Sequence, residues 1–386
     1  CRIKPTHMLS LTTSSVALVA PSSYSSTPTP AGIGRWLLDA ALSSPLYKAV
    51  LVPQAKATMV KTAEQNGVAW TDALAWLQAR GPWELPEGSD ELVVPEYYRQ
   101  PFHAYEEGNL CWDAALEGEI ASRAVGARNF PDSGADGELA FRGAFDEALV
   151  SLGAAVPDGG EVLDLGCGSG ISTRRIAARW PGAARVVGLD LSPHFVAVGR
   201  RLAELAREGD SICEWRWVNA RDEYTDPRVE LRLGDAGATG LPEDSVDVVS
   251  LSLIIHELPP SATRAVAAEA MRVLRPGGQL WVTEMDFETE GFAKLRANPL
   301  LFSLIRSTEP YLDVYADWMP SLPAALAALG FGPVRLAAAT GRHFALVATK
   351  PRDGDGAAAP GLVDDRRRET AKVDTHLKTW EAKRER

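Results

Sequence analysis

Three closely spaced glycines follow an apolar run that contains an acid. The run Val162–Leu165 includes Asp164 and leads directly into Gly166, Gly168 and Gly170. Glycine removes the side chain where a chain must turn tightly, and it lets a ligand approach the first N–H groups of the next helix. The pattern predicts a nucleotide-type binding turn between a strand and a helix.

The spacing of these glycines separates two kinds of ligand. A dinucleotide fingerprint, Gly-x-Gly-x-x-Gly, would place its third glycine at position 171, where this chain has Ile171. The turn therefore lacks the third glycine of a pyrophosphate cradle. A nicotinamide-dependent dehydrogenase is disfavoured for this reason.

Further apolar runs predict parallel strands that carry polar groups at their ends. Arg185–Asp190 ends about 20 residues after the glycines, the distance at which a doubly wound sheet places a carboxylate on ribose hydroxyls. Asp190 is therefore the expected ribose ligand, although a single acid at such a position is also typical of an ordinary turn or helix cap. Another run, Val246–Ile255, ends at His256 and Glu257.

The order of these elements resembles that of class I S-adenosylmethionine-dependent methyltransferases. Gly234-Asp235-Ala236, after the run Val229–Leu233, and the turn Leu274–Gly278 carry the resemblance further. It implies an α/β fold with a doubly wound, seven-stranded Rossmann-like sheet, an N-terminal helical cap and S-adenosyl-L-methionine as the cofactor. It also implies that Asp235 lies against the adenine amino group. The implied cofactor-binding residues are Asp164, Gly166, Cys167, Gly168, Ser169, Gly170, Asp190, Leu191, Asp235, Ala236 and Ser252.

Three other stretches indicate a narrower family within this class of methyltransferases. Phe102–Trp112, His256–Pro259 and Ser307–Tyr311 resemble methyltransferases of type 11, in the plastid and cyanobacterial branch related to ubiquinone and menaquinone biosynthesis enzymes. The resemblance covers most of residues 40–350. It leaves the methyl acceptor open.

The reaction expected of such a fold sets the demands on the site. The sulfonium methyl group is already activated, so the protein mainly aligns the reactants and excludes water. His256, at the end of the fourth strand, is the candidate base for a hydroxyl or carbon acid, and Glu257 would orient it. His103 is a second candidate. A capping or packing role for His256 is the alternative.

Two aromatic segments are the candidate walls of an acceptor pocket. Aromatic faces exclude water while their polar heads orient a ligand, so the segment 97–112 is typical of a lid, or alternatively of a clamp between cap and core. The excursion 286–317 follows the fifth strand, where this fold commonly shapes the acceptor pocket. The candidate substrate contacts from both segments are His103, Tyr105, Trp112, Glu309 and Tyr311.

Composition favours a small-molecule partner. The chain has 386 residues, a formal net charge of −11 and 46% hydrophobic residues. A negative balance argues against a surface that wraps nucleic acid. The four cysteines show no metal-ligand or disulfide spacing, so no metal site is expected, and no apolar stretch has the length of a membrane span. The oligomeric state stays open.

Composition shifts predict four regions: 1–38, 39–140, 141–350 and 351–386. The first contains no acid and is rich in Ser, Thr and Pro, which is typical of a plastid transit peptide or of a disordered end; the expected location is the chloroplast stroma, otherwise the cytoplasm. A helical cap and lid, the methyltransferase domain, and a linker with a charged tail follow.

Two rival functions remain. One is a non-catalytic S-adenosylmethionine-binding or assembly protein, because an intact pocket does not prove turnover. The other is a protein or nucleic-acid methyltransferase. That class is expected to show an Asn- or Asp-Pro-Pro-aromatic turn after the fourth strand, where this chain has Ser252–Ile255.

Overall fold

The structure is a computed structural model that describes residues 52–210, 223–297, 302, 305–306, 308–352 and 361–366. The expected transit segment 1–38 and most of the charged tail lie outside the described residues.

Ten α-helices and eight strands make up the regular structure of the described part of the chain, together with several 3₁₀ turns. The helices are α1 Val52–Gln65, α2 Trp70–Gln78, α3 Trp112–Asn129, α4 Gly137–Ser151, α5 Ile171–Arg179, α6 Pro193–Arg207, α7 Pro260–Val273, α8 Glu290–Arg296, α9 Leu312–Trp318 and α10 Leu322–Ala328. The strands are β1 Glu161–Leu165, β2 Arg185–Asp190, β3 Val229–Leu233, β4 Val246–Ser252, β5 Leu274–Met285, β6 Val334–Thr340, β7 His343–Thr349 and β8 Leu362–Asp364.

The strands form one sheet in the order β3-β2-β1-β4-β5-β7-β6-β8. The first five are parallel to one another, and β7 is antiparallel to both β5 and β6. The doubly wound α/β fold expected from the sequence is confirmed. Because the carboxyl ends of β1 to β5 meet at one edge, the polar groups after these strands are brought together there.

The sheet has one strand more than expected. The short strand β8 pairs in parallel with β6 and comes from the region expected to be a linker and tail. All three of its residues are exposed, and a strand of only three residues is too short to show the alternation by which a strand is recognised. Arg366 holds this end in place through ion pairs to Asp286, Glu288 and Asp364.

The strands β1, β2 and β4 are largely buried on both faces, because helices cover each side of the sheet, whereas β3 at the sheet edge is mostly only partly buried. One face of the sheet packs Leu163, Val249 and Leu280 against α7, and the other packs Val162, Val248 and α4. This two-sided burial explains why β1, β2 and β4 read as nearly continuous apolar runs, whereas β3 alternates apolar and charged residues.

The cap shares a hydrophobic core with α6. Trp70 and Leu77 of α2, Ile120 of α3, and Leu202 and Leu205 of α6 belong to one buried cluster. None of the helices in the described ranges combines the length and the apolar composition needed to cross a bilayer.

The last helical region is divided rather than continuous. The helices α9 and α10 are separated by a 3₁₀ turn at Met319–Ser321. Pro320 and Pro323 lack the N–H groups that a continuous helix would need at these positions.

Candidate cofactor and acceptor site

The glycine turn is held against the end of β2. Gly166 and Cys167 both donate their backbone N–H groups to the Leu189 carbonyl, at 2.8 and 3.2 Å. Gly166, Gly168 and Gly170 have φ angles of 69°, 55° and 92°, in the left-handed region that favours glycine. A Cβ on Gly166 would come within 2.7 Å of the Ile254 side chain. The turn therefore needs glycine for both its conformation and its packing.

Asp190 joins the glycine turn to the segment 97–112. Its Oδ2 accepts the Gly168 N–H at 2.7 Å, and its Oδ1 accepts the Ser192 N–H at 2.8 Å. The Tyr98 hydroxyl lies 3.4 Å from Oδ1 and donates to it. Burial raises the pKa of Asp190, while the hydrogen bonds from the Ser192 and Gly168 N–H groups partly offset this effect. The carboxylate thus lies at the end of β2, between the turn and a tyrosine.

Asp164 is fully buried behind the glycine turn. Its Oδ2 accepts hydrogen bonds from the Ser172 and Thr173 hydroxyls at 2.6 and 2.7 Å, which fixes the start of α5. Its Oδ1 makes no hydrogen bond to any residue in the described ranges. Burial raises the pKa of this carboxyl, and the two hydroxyls lower it in part.

The remaining expected cofactor residues lie along the same edge. Asp235, after β3, accepts the Gly237 N–H at 2.7 Å, and its charge contributes to the raised pKa of Tyr97. Ser252, at the end of β4, accepts a hydrogen bond from Arg142 Nη1 at 2.7 Å. The others with buried or partly buried side chains are Cys167, Ser169, Leu191 and Ala236.

His256 is bound to a buried glutamate from the neighbouring strand. Its Nδ1 lies 2.9 Å from Glu284 Oε1, and Glu284 Oε2 accepts the backbone N–H groups of Ile255 and His256. Burial disfavours a charged imidazole, but the charge and hydrogen bond of Glu284, with Glu309 and Glu257, raise its pKa to about 10. At neutral pH the ring is therefore cationic and carries a proton on both nitrogens. Glu284, rather than Glu257, holds Nδ1.

Glu257 faces the other nitrogen of the same ring. Its Oε1 lies 4.0 Å from His256 Nε2, and its Oε2 accepts a hydrogen bond from Asn109 Nδ2 at 3.1 Å. Burial raises its pKa, the cationic His256 opposes this effect, and Glu309 adds to it, giving a value of about 8. A carboxyl with a pKa near the working pH is suited to accept a proton.

Residues from the two aromatic segments meet beside this pair. His103 donates its backbone N–H to the Thr308 carbonyl at 2.8 Å, and its Nε2 lies 3.9 Å from Glu309 Oε1. The Tyr311 hydroxyl donates to the Tyr97 carbonyl at 3.3 Å. The segment 97–112 is thus attached to the excursion after β5 as well as to the ends of β2 and β4.

Tyr105 and Trp112 lie apart from His256 and Glu257. The Tyr105 hydroxyl donates to Glu117, which also pairs with Lys56 at 2.9 Å. The Trp112 ring packs edge-on against His194, with ring centroids 4.8 Å apart. Both residues line a surface cavity beside α3.

Sequence reasoning missed a buried charge network that clamps the glycine turn to α3. Glu119 has no exposed surface and accepts hydrogen bonds from Arg174, Ser169 and Tyr224. Arg174 also donates to the Ser169 carbonyl at 2.9 Å. These residues come from distant parts of the chain, and the i, i+4 pair of Glu119 with Arg123 was the only local signal.

The chemistry of this edge fits an adenosyl ligand that carries an amino acid. Asp190 suits vicinal ribose hydroxyls, Asp235 suits an amino group on a base, and the unpartnered Oδ1 of Asp164 suits an ammonium group or a bridging water. The turn has no pyrophosphate-type third glycine. The fold and this arrangement fit those expected of a class I S-adenosylmethionine-dependent methyltransferase domain.

Comparison with known proteins agrees with this class. Residues 162–278 match the family described as "Methyltransferase domain". A ubiquinone/menaquinone biosynthesis C-methyltransferase from Paracoccus denitrificans is 35% identical over 129 residues, which cover 33% of this chain and 44% of that protein. A trans-aconitate 2-methyltransferase from Azoarcus sp. is 36% identical over 144 residues, covering 37% and 46%. The matched segments span less than half the length of either relative.

An S-adenosylmethionine-dependent methyltransferase from Aquifex aeolicus is similar with a TM-score of 0.38 at 19% identity, covering 54% of this chain and 92% of that chain.

Proposed function

We propose that this protein transfers the methyl group of S-adenosylmethionine to a small molecule at a hydroxyl oxygen or an acidic carbon. The acceptor binds at the carboxyl edge of the sheet, between the segment 97–112 and residues 308–315. The observation that carries the proposal is the joining of two sites on one edge: the Gly168–Asp190 contact and the His256–Glu257 pair.

The residues around His256 favour a methyl acceptor that carries one polar group and is otherwise apolar. His256 is cationic near neutral pH, so it supplies an N–H donor to an acceptor oxygen. Behind it, the Tyr315 ring lies edge-on at 6.2 Å between centroids and belongs to a largely apolar cluster. When bound, the cofactor supplies an electrophilic methyl group on a sulfonium. The protein contributes alignment, exclusion of water and a route for the proton.

A two-stage experiment tests this function. Calorimetry first measures binding of S-adenosylmethionine and S-adenosylhomocysteine. The protein is then incubated with deuteromethyl-labelled S-adenosylmethionine and a panel of small phenols, trans-aconitate and demethylmenaquinone, the last two chosen from the names of the relatives. The proposal expects a deuteromethyl group on a small molecule.

Other outcomes would support the rival functions. Cofactor binding without transfer to the panel or to small molecules of a cell extract would indicate a non-catalytic binding protein. Label on protein or nucleic acid would indicate a macromolecular acceptor. The Ser252→Ala, Asp190→Asn double variant serves as the negative control, since it removes two groups of the proposed cofactor site.

We also propose that the protein acts in the plastid stroma. Residues 1–38 contain no Asp or Glu, and Ser10–Pro30 is rich in Ser, Thr and Pro, a composition typical of transit peptides. Fusion of residues 1–50 to a fluorescent protein tests this address. Fluorescence confined to chloroplasts is expected, and diffuse cytoplasmic fluorescence would contradict it.

A further inference from the structure

We propose that Asn109 positions Glu257 as the group that takes the proton from the methyl acceptor. This inference rests on the proposed function, and it assigns the proton step to a carboxylate held by the segment 97–112. Asn109 is a positioning residue because it acts through Glu257, whereas Glu257 is the catalytic residue.

Consecutive contacts link the side chains of Asn109, Glu257, His256 and Glu284. Asn109 Nδ2 donates to Glu257 Oε2 at 3.1 Å, and Glu257 Oε1 lies 4.0 Å from His256 Nε2. His256 Nδ1 is held by Glu284 at 2.9 Å. The carboxylate of Glu257 is therefore fixed on one side by a neutral amide and on the other by a cation.

Asn109 also reaches the cofactor side. Its backbone carbonyl accepts a hydrogen bond from the Ser192 hydroxyl at 2.6 Å, and the Ser192 N–H binds Asp190. Asn109 thus contacts Ser192, which follows β2, through its main chain and Glu257, which follows β4, through its side chain. A substitution of the side chain leaves the main-chain contact available.

The charges around Glu257 explain why the amide matters. The groups that face it are His256, whose charge favours the carboxylate, and Glu309 and Asp190, whose charges oppose it. The Tyr98 hydroxyl is a further neighbour: burial raises its pKa, and the charges of Asp190 and Glu257 raise it further. The Asn109 hydrogen bond stabilises the ionised form, so its loss raises the pKa of Glu257.

The step balances without a further reactant. The acceptor's nucleophilic atom bonds to the methyl carbon as the sulfur–methyl bond breaks and its electron pair stays on sulfur. The proton of the acceptor passes to the Glu257 carboxylate, which becomes a neutral carboxyl and later releases the proton to water. His256 keeps its proton throughout and offers Nε2–H to the acceptor.

A carboxyl titration by nuclear magnetic resonance tests the coupling without methyl transfer. The full chain, labelled with ¹³C at glutamate carboxyls and bound to S-adenosylhomocysteine, is titrated, and Glu257→Gln assigns the resonance. We expect Asn109→Ala to raise the midpoint by about half to one pH unit and Asn109→Asp, of equal size but charged, to raise it further. Asn129→Leu removes an amide that bonds only to the Val125 carbonyl of its own helix and should leave the midpoint unchanged.

The pH profile of turnover, with whichever acceptor the panel identifies, tests the role of the carboxylate. Asn109→Ala should lower kcat at pH 7 by up to about tenfold and move the rising limb to higher pH, with little change in KM for S-adenosylmethionine. Asn109→Ser, which retains a donor, should recover part of the loss.

The outcomes separate the two proposals. A Glu257 midpoint that is the same in Asn109→Ala, Asn109→Asp and wild type would overturn the inference even if methyl transfer occurs. Methyl transfer in Glu257→Gln at the wild-type rate would also overturn it. A midpoint that responds to Asn109 in a protein that methylates nothing would instead contradict the proposed function.

Discussion

Gly168 donates its backbone N–H to the Asp190 carboxylate across 2.7 Å, so the turn after β1 and the end of β2 form one rigid unit. The two residues are 22 positions apart in the sequence, and the whole of α5 lies between them. A carboxylate held in this way is oriented before any ligand arrives. Preorganisation of this kind lowers the cost of ordering the site on binding.

The first prediction concerns this carboxylate. Asp190→Asn should weaken S-adenosylhomocysteine binding by about 1.5–3 kcal/mol, because charge-assisted hydrogen bonds to ribose are lost. Isothermal calorimetry measures the affinity, and circular dichroism checks the fold. Asp158→Asn, at an exposed position before β1, is the matched control and should bind normally. An unchanged affinity in Asp190→Asn would remove this residue from the ribose contact.

The second prediction concerns residues 97–112. Because Tyr98 and Asn109 contact the ends of β2 and β4, S-adenosylhomocysteine should slow hydrogen exchange across this segment. Mass spectrometry of peptides with and without ligand measures the effect, and peptides of α7 serve as the reference. Equal exchange in both states would favour a permanent clamp over a lid.

The third prediction concerns the charge network beneath the glycine turn. Glu119→Gln should lower the free energy of unfolding by about 3–5 kcal/mol, since Arg174 would then be buried without its carboxylate. Urea denaturation gives the value. Glu230→Gln removes an acid of a partly exposed ion pair and should cost no more than about 1 kcal/mol. Similar losses in the two variants would contradict a special role for Glu119.

The fourth prediction concerns pH. The folded protein holds the His256 proton up to a pKa of about 10, whereas an unfolded histidine loses it near 6.5. The folded state therefore binds more protons between these values, and stability should fall as pH rises through the window.

Denaturation at intervals from pH 8 to pH 10 measures this slope. His256→Gln should flatten it, and His194→Gln, a partly exposed ring whose pKa is lowered by burial, should not. Identical slopes in wild type and His256→Gln would show that the ring does not carry the extra proton.

Much of the fold was predictable because its signals are local. The bounds of β2 and β3 agree with the apolar runs Arg185–Asp190 and Val229–Leu233 residue for residue. The run Arg185–Asp190 is largely apolar and ends in an acid, and Val229–Leu233 alternates apolar and charged residues with the period of a strand, so no tertiary contacts were needed to find either strand.

The site was predictable only in part, because its partners are distant in sequence. Glu284 lies 28 residues from His256, and Asn109 lies 148 residues from Glu257. No spacing rule connects such pairs, and a glutamate inside a strand reads as an exception to the apolar pattern. Aromatic content alone also grouped Tyr105 and Trp112 with His103, although the Tyr105 hydroxyl contacts Glu117 of α3 and the Trp112 ring contacts His194 of α6.

The cap and the sheet are not separable modules, although a compositional boundary falls near residue 140. A fragment beginning at residue 141 would lose α3, expose Leu202 and Leu205, and leave Arg174 without its buried countercharge. Such a fragment would be prone to aggregate rather than to fold. Any recombination that transplants the glycine turn into another protein must therefore carry α3 with it.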